Sequence, residues 1–337
     1  MTDFKNIPTF VNMKNKLGNR LKIARIATGL SLEGLSKALG NSLSKQSLSM
    51  YEKGVMQPKE KNLLAIAAAL GVPADYFTKT IDVIDVPMLR TSIGCSVTHE
   101  ELEELETKVI YYAERYAMKI LKTNFDSPDF INPLKEKIFS NKEDLSILAD
   151  QLRCEWSCGD GVIPSILRLL ERRGVWVFDA VLPENIIGLS TWIDKRQPVM
   201  VLDTRKEKTT VERLRFTAAH ELAHLVLNLP KGINKEKICN QFASYFLLPQ
   251  KTLINELGSK RESLYLDELI DLHDYYGVSI AAMVHEAYDF GIINKEHYDY
   301  WFDTIIKSNP KEEEWGEYLF PESLGKERRM DVIINNI

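Results

Sequence analysis

"TTVERLRFTAAHELAHLVLNLP", residues 209–230, decides the fold of the second half of the chain. Apolar residues recur along it at steps of three and four, as on a helix with one buried face. Four of them form a single stripe: Leu214, Ala218, Leu222 and Leu225. Threonines precede the stripe and Pro230 follows it, so one helix is predicted between these limits.

Two histidines lie one turn apart on this predicted helix. His220 and His224 project to the same side, and two imidazoles at this spacing can bind one zinc ion. Glu221 lies beside them, where it can take a proton from water whose pKa the zinc lowers, while the metal polarises the carbonyl under attack. The alternatives are a chance occurrence of the motif and an ordinary core helix. A third ligand decides between them.

A second helix is predicted in "NKEKICNQFASYFLLP", residues 234–249, with Asn234 as its N-cap. Glu236, Asn240 and Ala243 fall on one face of that helix. Glu236 can therefore complete a site of two histidines and one glutamate, with water in the open fourth position. The helix dipole alone also favours an acid in the first turn.

Other residues are further candidates for chemistry at this site. Cys239 is the alternative third ligand because it lies one turn along the same helix, and His273 and His285 are more distant ligand candidates. A donor that stabilises the transition state is sought among Tyr245, His273 and His285, and spacing does not choose between them.

The same segments resemble the ImmA/IrrE family of zinc metallopeptidases over roughly residues 145–290. The family has a helix–strand unit, then HExxH, then Glu-x-x-Ala-Asn-x-Phe-Ala leading to Leu-Leu-x-Pro. This chain shows, in the same order, "ILRLLERRGVWV", "RFTAAHELAHLVLN" and "EKICNQFASYFLLP". The resemblance implies a catalytic set: zinc ligands His220, His224 and Glu236, and general base Glu221. Cys239 stands where the family has alanine, and no residue separates Leu248 from Pro249; both departures leave the ligands intact.

Strand-like runs precede the HExxH helix. After Gly174 the pattern becomes extended in "VWVFDAV", "IIGLSTWI" and "PVMVLD", and "DKRQ" is predicted to join the last two as a hairpin. Such strands can hold an extended peptide by strand addition. The chain after this region is predicted to be helical.

The N-terminal region is basic although the whole chain carries a net charge of -5. Ten Lys and Arg against three Glu between Lys14 and Asn62 give that stretch +7, which leaves -12 for the rest. A basic domain joined to an acidic body indicates a local nucleic-acid surface.

Short predicted helices fill residues 17–77. Gly29 is predicted to end the first, Ser31 to cap the second and Ser44 to cap the third, and "VPADYF" is predicted to start a fifth. The order resembles the Cro-repressor or XRE type of helix-turn-helix, echoed by "GLSLEGLSKALG", "SLSMYEKG" and "LLAIAAALGVPADYF".

This second resemblance implies that the third helix enters the major groove of double-stranded operator DNA. It places four residues against bases or phosphates: Lys45, Gln46, Ser47 and Ser49. Leu32 replaces the usual polar residue of the family, and the turn "GNSLS" is longer than usual. The alternative is a small helical domain for protein interaction.

Five regions follow from these patterns: a helix-turn-helix domain at 14–79, a linker at 80–97, a connecting helix region at 98–140, a zinc metallopeptidase-like domain at 141–307 and a charged, mobile tail at 308–337. The fold class is mainly α with a small β-sheet (α+β). An N-terminal all-α helix-turn-helix domain precedes an HExxH zincin-like metallopeptidase domain with a helical C-terminal part. The connecting helix begins with a predicted capping box of Thr98 and Glu101. It packs on its own domain or forms a homodimer contact, and the sequence does not separate the two.

Composition predicts a cytoplasmic protein. No apolar run approaches the ~20 residues of a membrane span, the N-terminus lacks the apolar centre of a signal peptide, and four scattered cysteines do not make a disulfide framework.

The combined function hypothesis is a DNA-binding transcriptional regulator with an ImmA/IrrE-like zinc endopeptidase domain. The resemblance implies that it cleaves a repressor-type protein, itself or a partner, in a stress or mobile-element response. The alternatives are a non-catalytic, zinc-containing repressor or antitoxin-like regulator whose C-terminal domain senses or docks a partner, and a pure zinc peptidase whose N-terminal helices recruit its substrate.

Overall fold

The computed structural model describes residues 16–77, 98–123, 128–137, 139, 144–230 and 232–323. These residues divide into two compact units, one formed by the described residues up to 119 and the other by those from 120 onwards. The predicted linker at 80–97 and the last part of the predicted tail, 324–337, lie outside the described residues. Within the described ranges, no helix has both the length and the apolar character needed to cross a bilayer.

The first unit is entirely helical. Its elements are α1 (Lys16–Ala27), α2 (Leu32–Ala38), α3 (Lys45–Glu52), α4 (Glu60–Ala69), a 3₁₀ turn (Ala74–Phe77) and α5 (His99–Thr123). The predicted helix boundaries are confirmed at three points. Ser31 Oγ accepts from the Gly34 N–H and Ser44 Oγ from the Ser47 N–H, and Gly29 ends α1 with a φ of 72°, the left-handed conformation that glycine adopts without strain. The predicted start of a fifth helix is the 3₁₀ turn.

The core of the first unit is formed by the helices α1, α2, α3 and α4 together with one side of α5. Tyr111 and Met118 of α5 are buried in the same cluster as Leu21, Leu35 and Leu48. The predicted capping box at the start of α5 is confirmed, because Glu101 Oε2 accepts from the Thr98 N–H at 2.8 Å and Thr98 Oγ1 accepts from the Glu101 N–H at 3.2 Å. This side of α5 therefore packs on its own unit, and the homodimer contact stays a prediction.

A buried polar cluster fixes α5 against the helices before it. The Tyr76 hydroxyl donates to Glu114 Oε2 at 3.0 Å, and the Arg20 guanidinium lies 3.5 Å from Glu114 Oε1. Arg20 also donates to the main-chain oxygen of Tyr76. Burial raises the pKa of Glu114, and Arg20 and the Tyr76 hydroxyl oppose that rise, so both partners favour the charged carboxylate in this core.

The second unit combines a small sheet with helices that precede and follow it along the sequence. Its elements are α6 (Asp144–Glu155), α7 (Ile166–Arg172), β1 (Trp176–Asp179), β2 (Gly188–Ile193), β3 (Gln197–Leu202), α8 (Val211–Val226), α9 (Lys235–Leu247), α10 (Gln250–Leu257), α11 (Leu266–Tyr276), α12 (Ile280–Asp289), α13 (Lys295–Tyr300) and a π-helical turn (Trp301–Ile306).

The three predicted strands and their hairpin are present. The strand order is β1-β3-β2, with β1 parallel and β2 antiparallel to β3. Asp194 and Lys195 connect β2 to β3 with φ of 50° and 57°, the positive values that a tight hairpin turn requires. The α8 helix packs on β2 and β3, and α9 packs on α8 and α6, in one continuous apolar core.

Close contact between β2 and α8 depends on Gly188. A Cβ at this position would lie 2.6 Å from Thr217 Cγ2 and 2.7 Å from Leu202 Cδ2, both in the buried core. We expect Gly188→Ala to destabilise the protein by about 1–3 kcal/mol through overpacking, measured as a lower midpoint of thermal unfolding. Gly161→Ala is the matched control, because a methyl group there would meet no atom within 4 Å beyond its chain neighbours; equal midpoints for the two variants would contradict the prediction.

Residues 308–323, which the sequence analysis assigns to a mobile tail, pack on the second unit; we call them the C-terminal segment. The Glu312 carboxylate accepts from the main-chain N–H groups of Ile280 and Ala281, both at 2.8 Å, and so caps α12. The Tyr318 hydroxyl lies 3.1 Å from the carbonyl oxygen of Ile163. Charged side chains such as Glu312 thus bond to main-chain groups of this unit, and the mobility of the segment stays a prediction.

Candidate metal centre

The two helices α8 and α9 bring His220, His224 and Glu236 together. Their ligand atoms all lie within 4.8 Å of one another. The two Nε2 atoms are 3.1 Å apart, Glu236 Oε2 is 3.3 Å from His220 Nε2 and Glu236 Oε1 is 3.5 Å from His224 Nε2. The structure thus places the three predicted ligands in one cluster, between the middle of α8 and the first turn of α9.

The spacing of these atoms fits a zinc ion. Ligand atoms about 2.0–2.1 Å from zinc at tetrahedral angles lie roughly 3.3–3.4 Å from each other. The two Nε2 atoms are 3.1 Å apart, and a different oxygen of Glu236 lies near each of them, at 3.3 Å from His220 and 3.5 Å from His224. Two imidazole nitrogens and one carboxylate oxygen are also the donor set of catalytic zinc sites that keep a fourth position open.

Both imidazoles are held in the neutral form that a metal requires. Burial lowers the pKa of His220, and burial together with the neighbouring His220 lowers the pKa of His224. Because a protonated imidazole cannot ligate a metal, these shifts favour the ligating state at neutral pH.

Two further side chains of α9 contact the imidazole rings of His220 and His224 and orient them. Asn240 Oδ1 lies 2.7 Å from His220 Nδ1, so Nδ1–H donates to the amide oxygen and the lone pair of Nε2 points into the cluster. Cys239 Sγ lies 3.6 Å from His224 Nδ1, on the side of the ring away from the other ligands. Burial raises the pKa of the Cys239 thiol, so it stays protonated. Cys239 therefore supports His224, and the ligand cluster does not include it.

We expect Asn240→Ala to lower zinc affinity by roughly 10–100-fold, because His220 loses the acceptor that fixes its tautomer and orientation. Asn240→Asp, which keeps an acceptor oxygen, should retain or raise the affinity. The measurement is a competition titration against a chromophoric chelator. Equal affinities for native protein and Asn240→Ala would show that the hydrogen bond has no part in metal binding.

Glu221 follows His220 on α8 and is fully buried. The Ser190 hydroxyl on β2 is 2.6 Å from its Oε2 atom. Sequence reasoning missed Ser190 because no motif marks it and its contact depends on how β2 packs on α8. It missed the role of Asn240 as well, although the spacing of four residues from Glu236 gave a usable signal.

The remaining candidates for chemistry are engaged elsewhere. The Tyr245 hydroxyl accepts from Gln241, and His273 lies between Glu212 at 3.4 Å and Asp274 at 3.0 Å. His285 Nδ1 is 3.2 Å from the Tyr298 hydroxyl, at the surface. Among the described residues, the ligand cluster includes neither His273 nor His285, and the choice of the transition-state donor stays open.

The predicted DNA-reading residues lie in the first two turns of α3. Lys45 and Gln46 are exposed, whereas Ser47 and Ser49 are half-buried. Ser47 Oγ is also 3.0 Å from Ser44 Oγ, within the N-cap. Lys45 and Gln46 are therefore the more accessible pair for contact with a duplex.

Contacts at both ends of α3 fix its orientation. Arg25 pairs with Glu52 at 2.6 and 3.0 Å, and the Ser36 hydroxyl donates to the Leu43 carbonyl oxygen at 2.6 Å in the turn before α3. The longer turn uses Asn41 at a φ of 59°, a conformation that asparagine tolerates. The departure at Leu32 is explained by packing, since this side chain lies against the apolar core of the first unit.

Comparison with known families agrees with this geometry. Residues 21–77 match the family model of the helix-turn-helix, and residues 170–288 match that of the IrrE N-terminal-like domain, an M78 peptidase family. No match is found among curated proteins or among solved structures. The chain is therefore a fusion of an XRE-type DNA-binding domain and an IrrE-like, metallopeptidase-type domain, and the predicted α+β class is confirmed.

Proposed function

We propose that this chain is a DNA-bound transcriptional regulator whose second unit is a zinc endopeptidase. Its substrate is a repressor-type protein, either another copy of this chain or a helix-turn-helix partner. The observation that supports the proposal most strongly is the convergence of His220, His224 and Glu236. Glu221, a buried carboxylate, follows His220 on α8, and the chain also carries a DNA-reading domain.

Each protein group has a separate task in this proposal. His220, His224 and Glu236 hold the zinc, and Asn240 and Cys239 keep the two imidazoles oriented. Zinc, when bound, supplies a Lewis acid and lowers the pKa of water. Glu221 takes the proton of the attacking water and passes it on to the leaving amine.

The β2 strand is the proposed place for the substrate backbone. It is one of the two edge strands in the order β1-β3-β2, and it packs against α8, which bears the two histidines. A peptide added to this strand in extended form would run past the metal site, with main-chain hydrogen bonds for affinity and side-chain pockets for specificity.

The first unit is the proposed domain for sequence-specific binding to DNA. Lys45 and Gln46 present donors that match guanine and adenine edges, and the lysines around them add a salt-dependent attraction to phosphates. We propose a homodimer that reads two half-sites, the usual arrangement for helix-turn-helix repressors.

The proposal predicts that Glu221→Gln lowers the cleavage rate by about 10²–10⁴-fold, because the amide cannot accept the proton of water. Zinc-loaded protein is incubated alone, with operator DNA and with purified helix-turn-helix repressors, and fragments are followed by mass spectrometry. Glu207→Gln is the matched control, since Glu207 is exposed and its charge should not matter.

Two outcomes would contradict the proposal. Equal fragment yields from native protein and Glu221→Gln would place the cleavage elsewhere, and intact chains with every candidate substrate would count against proteolysis. DNA footprinting with and without chelator then tests the non-catalytic alternative, in which the second unit acts as a sensor and metal changes operator affinity.

A further inference from the structure

We propose that Ser190 is a positioning residue for Glu221, which ties the general base to the strand that receives the substrate. The inference rests on the proposed function and adds a residue that no sequence motif marks. The Ser190 hydroxyl is 2.6 Å from Glu221 Oε2 and 3.2 Å from the main-chain oxygen of the same residue.

The contact is short enough for a hydroxyl that donates to a carboxylate oxygen. An O–H···O⁻ distance of about 2.5–2.7 Å is typical of a hydroxyl that donates to an ionised carboxylate. The Ser190 residue is 6% exposed and Glu221 is 0% exposed. In such a site water competes little with the hydrogen bond, and a donor is needed to offset the lost hydration of a charged group.

The register of β2 explains why a serine at this position reaches the base. Alternate residues of a strand point to the same face, so Gly188 and Ser190 both face α8. A Cβ at Gly188 would lie 2.6 Å from Thr217 Cγ2 and 3.6 Å from Glu221 Cγ. The strand thus approaches α8 along the turn from Thr217 to Glu221, and the next inward residue, Ser190, meets the carboxylate.

This arrangement links substrate contact to the orientation of the base. A peptide that adds to β2 forms hydrogen bonds with the main chain of this strand. The Ser190 side chain of the same strand contacts Glu221. The side-chain hydrogen bonds of Ser190 go to Glu221, and in this scheme the residue does not touch the reacting atoms. Its loss should therefore affect the turnover step and leave zinc binding and substrate affinity nearly unchanged.

Three substitutions separate hydrogen bonding from packing. Ser190→Ala removes the hydroxyl, Ser190→Cys keeps the volume but offers only a weak donor, and Ser190→Thr keeps the hydroxyl on a β-branched residue that suits a strand.

We expect kcat to fall about 10–100-fold in Ser190→Ala and Ser190→Cys, with KM within about twofold of the native value. Ser190→Thr should retain most of the native kcat. Thr252→Ala, which removes another buried hydroxyl of this unit, bonded to the Asp160 carbonyl, should leave kcat unchanged.

A readout that needs no proteolysis tests the contact itself. Thermal midpoints of the metal-free native protein, Ser190→Ala, Glu221→Ala and the double variant form a double-mutant cycle. We expect the double variant to lose less than the sum of the single losses, whereas additive losses would overturn the contact.

The outcomes distinguish the inference from the proposed function. Cleavage by native protein with full kcat in Ser190→Ala or Ser190→Cys would overturn the positioning role and leave the endopeptidase standing. Absence of cleavage by the native chain would overturn the endopeptidase and, with it, any role of Ser190 in a reaction.

Discussion

Replacing His220 by alanine should abolish stable zinc binding, the largest effect we expect in the metal site. His220 supplies one of three ligand atoms in the cluster and is the imidazole that Asn240 orients. Removing a residue that hydrogen-bonds to a metal ligand lowers the metal affinity roughly 10–100-fold. Removing the ligand itself lowers the affinity further, because the two remaining ligand atoms do not hold the zinc ion stably. Metal analysis after dialysis should find about one zinc per native chain and almost none in His220→Ala.

Stability provides an independent measurement of the same loss. A metal that binds the folded state alone stabilises it by about 4 kcal/mol at 1,000 times its dissociation constant, so zinc should raise the thermal midpoint of native protein and leave that of His220→Ala unchanged. His285→Ala is the matched control, because His285 is an exposed histidine of the same unit, outside the cluster. A full complement of zinc in His220→Ala would rule out this site.

Short-range geometry made part of the site predictable from the sequence. His220 and His224 are four residues apart on one helix, so their common direction follows from the helical period alone. The N-caps Ser31 and Ser44 and the capping box at Thr98 are local as well, and all three are present. Glu236 required one further step, the mutual approach of α8 and α9, which the resemblance to a known family supplied.

The parts that sequence could not supply depend on contacts between distant elements. Ser190 meets Glu221 across 31 positions, and this contact requires both the β2 register and the absence of a side chain at Gly188. The two partners of the rings, Asn240 and Cys239, follow from the rotation of α9 relative to α8. A helical wheel places them one turn beyond Glu236, yet it does not say which histidine each contacts.

The C-terminal segment illustrates the same limit, because its acidic composition suggested a solvated tail. Composition does not reveal that the helix α8 carries a fully buried arginine, Arg215, which requires a partner. Glu322 supplies that partner from 107 positions along the chain. An isolated buried cation is so costly that a distant acid is expected only once the burial of Arg215 is known from the structure.

Replacing Glu322 by glutamine should destabilise the second unit by about 3–5 kcal/mol, the usual result of breaking a buried ion pair from one side. Arg215 pairs with Glu322 and donates to the carbonyl oxygens of Gly277, Ile163 and Tyr276. Those carbonyls bear no net charge, so the arginine would stay buried without its counter-ion. Glu322 also accepts from Ser165 Oγ at 2.8 Å at the start of α7, and a neutral amide weakens that contact too.

Thermal unfolding should register this loss as a fall of roughly 6–20 °C in the midpoint of the second unit. Glu317→Gln is the matched control in the same segment, because Glu317 is exposed. The double variant Arg215→Met with Glu322→Leu should be more stable than Glu322→Gln, since apolar side chains of similar volume can replace a buried pair at little cost. If the double variant were instead the least stable, the ion pair and the carbonyl hydrogen bonds of Arg215 would together contribute more than apolar side chains can replace. If Glu322→Gln unfolded at the native midpoint, the pair would hold neither the segment nor α8 in place.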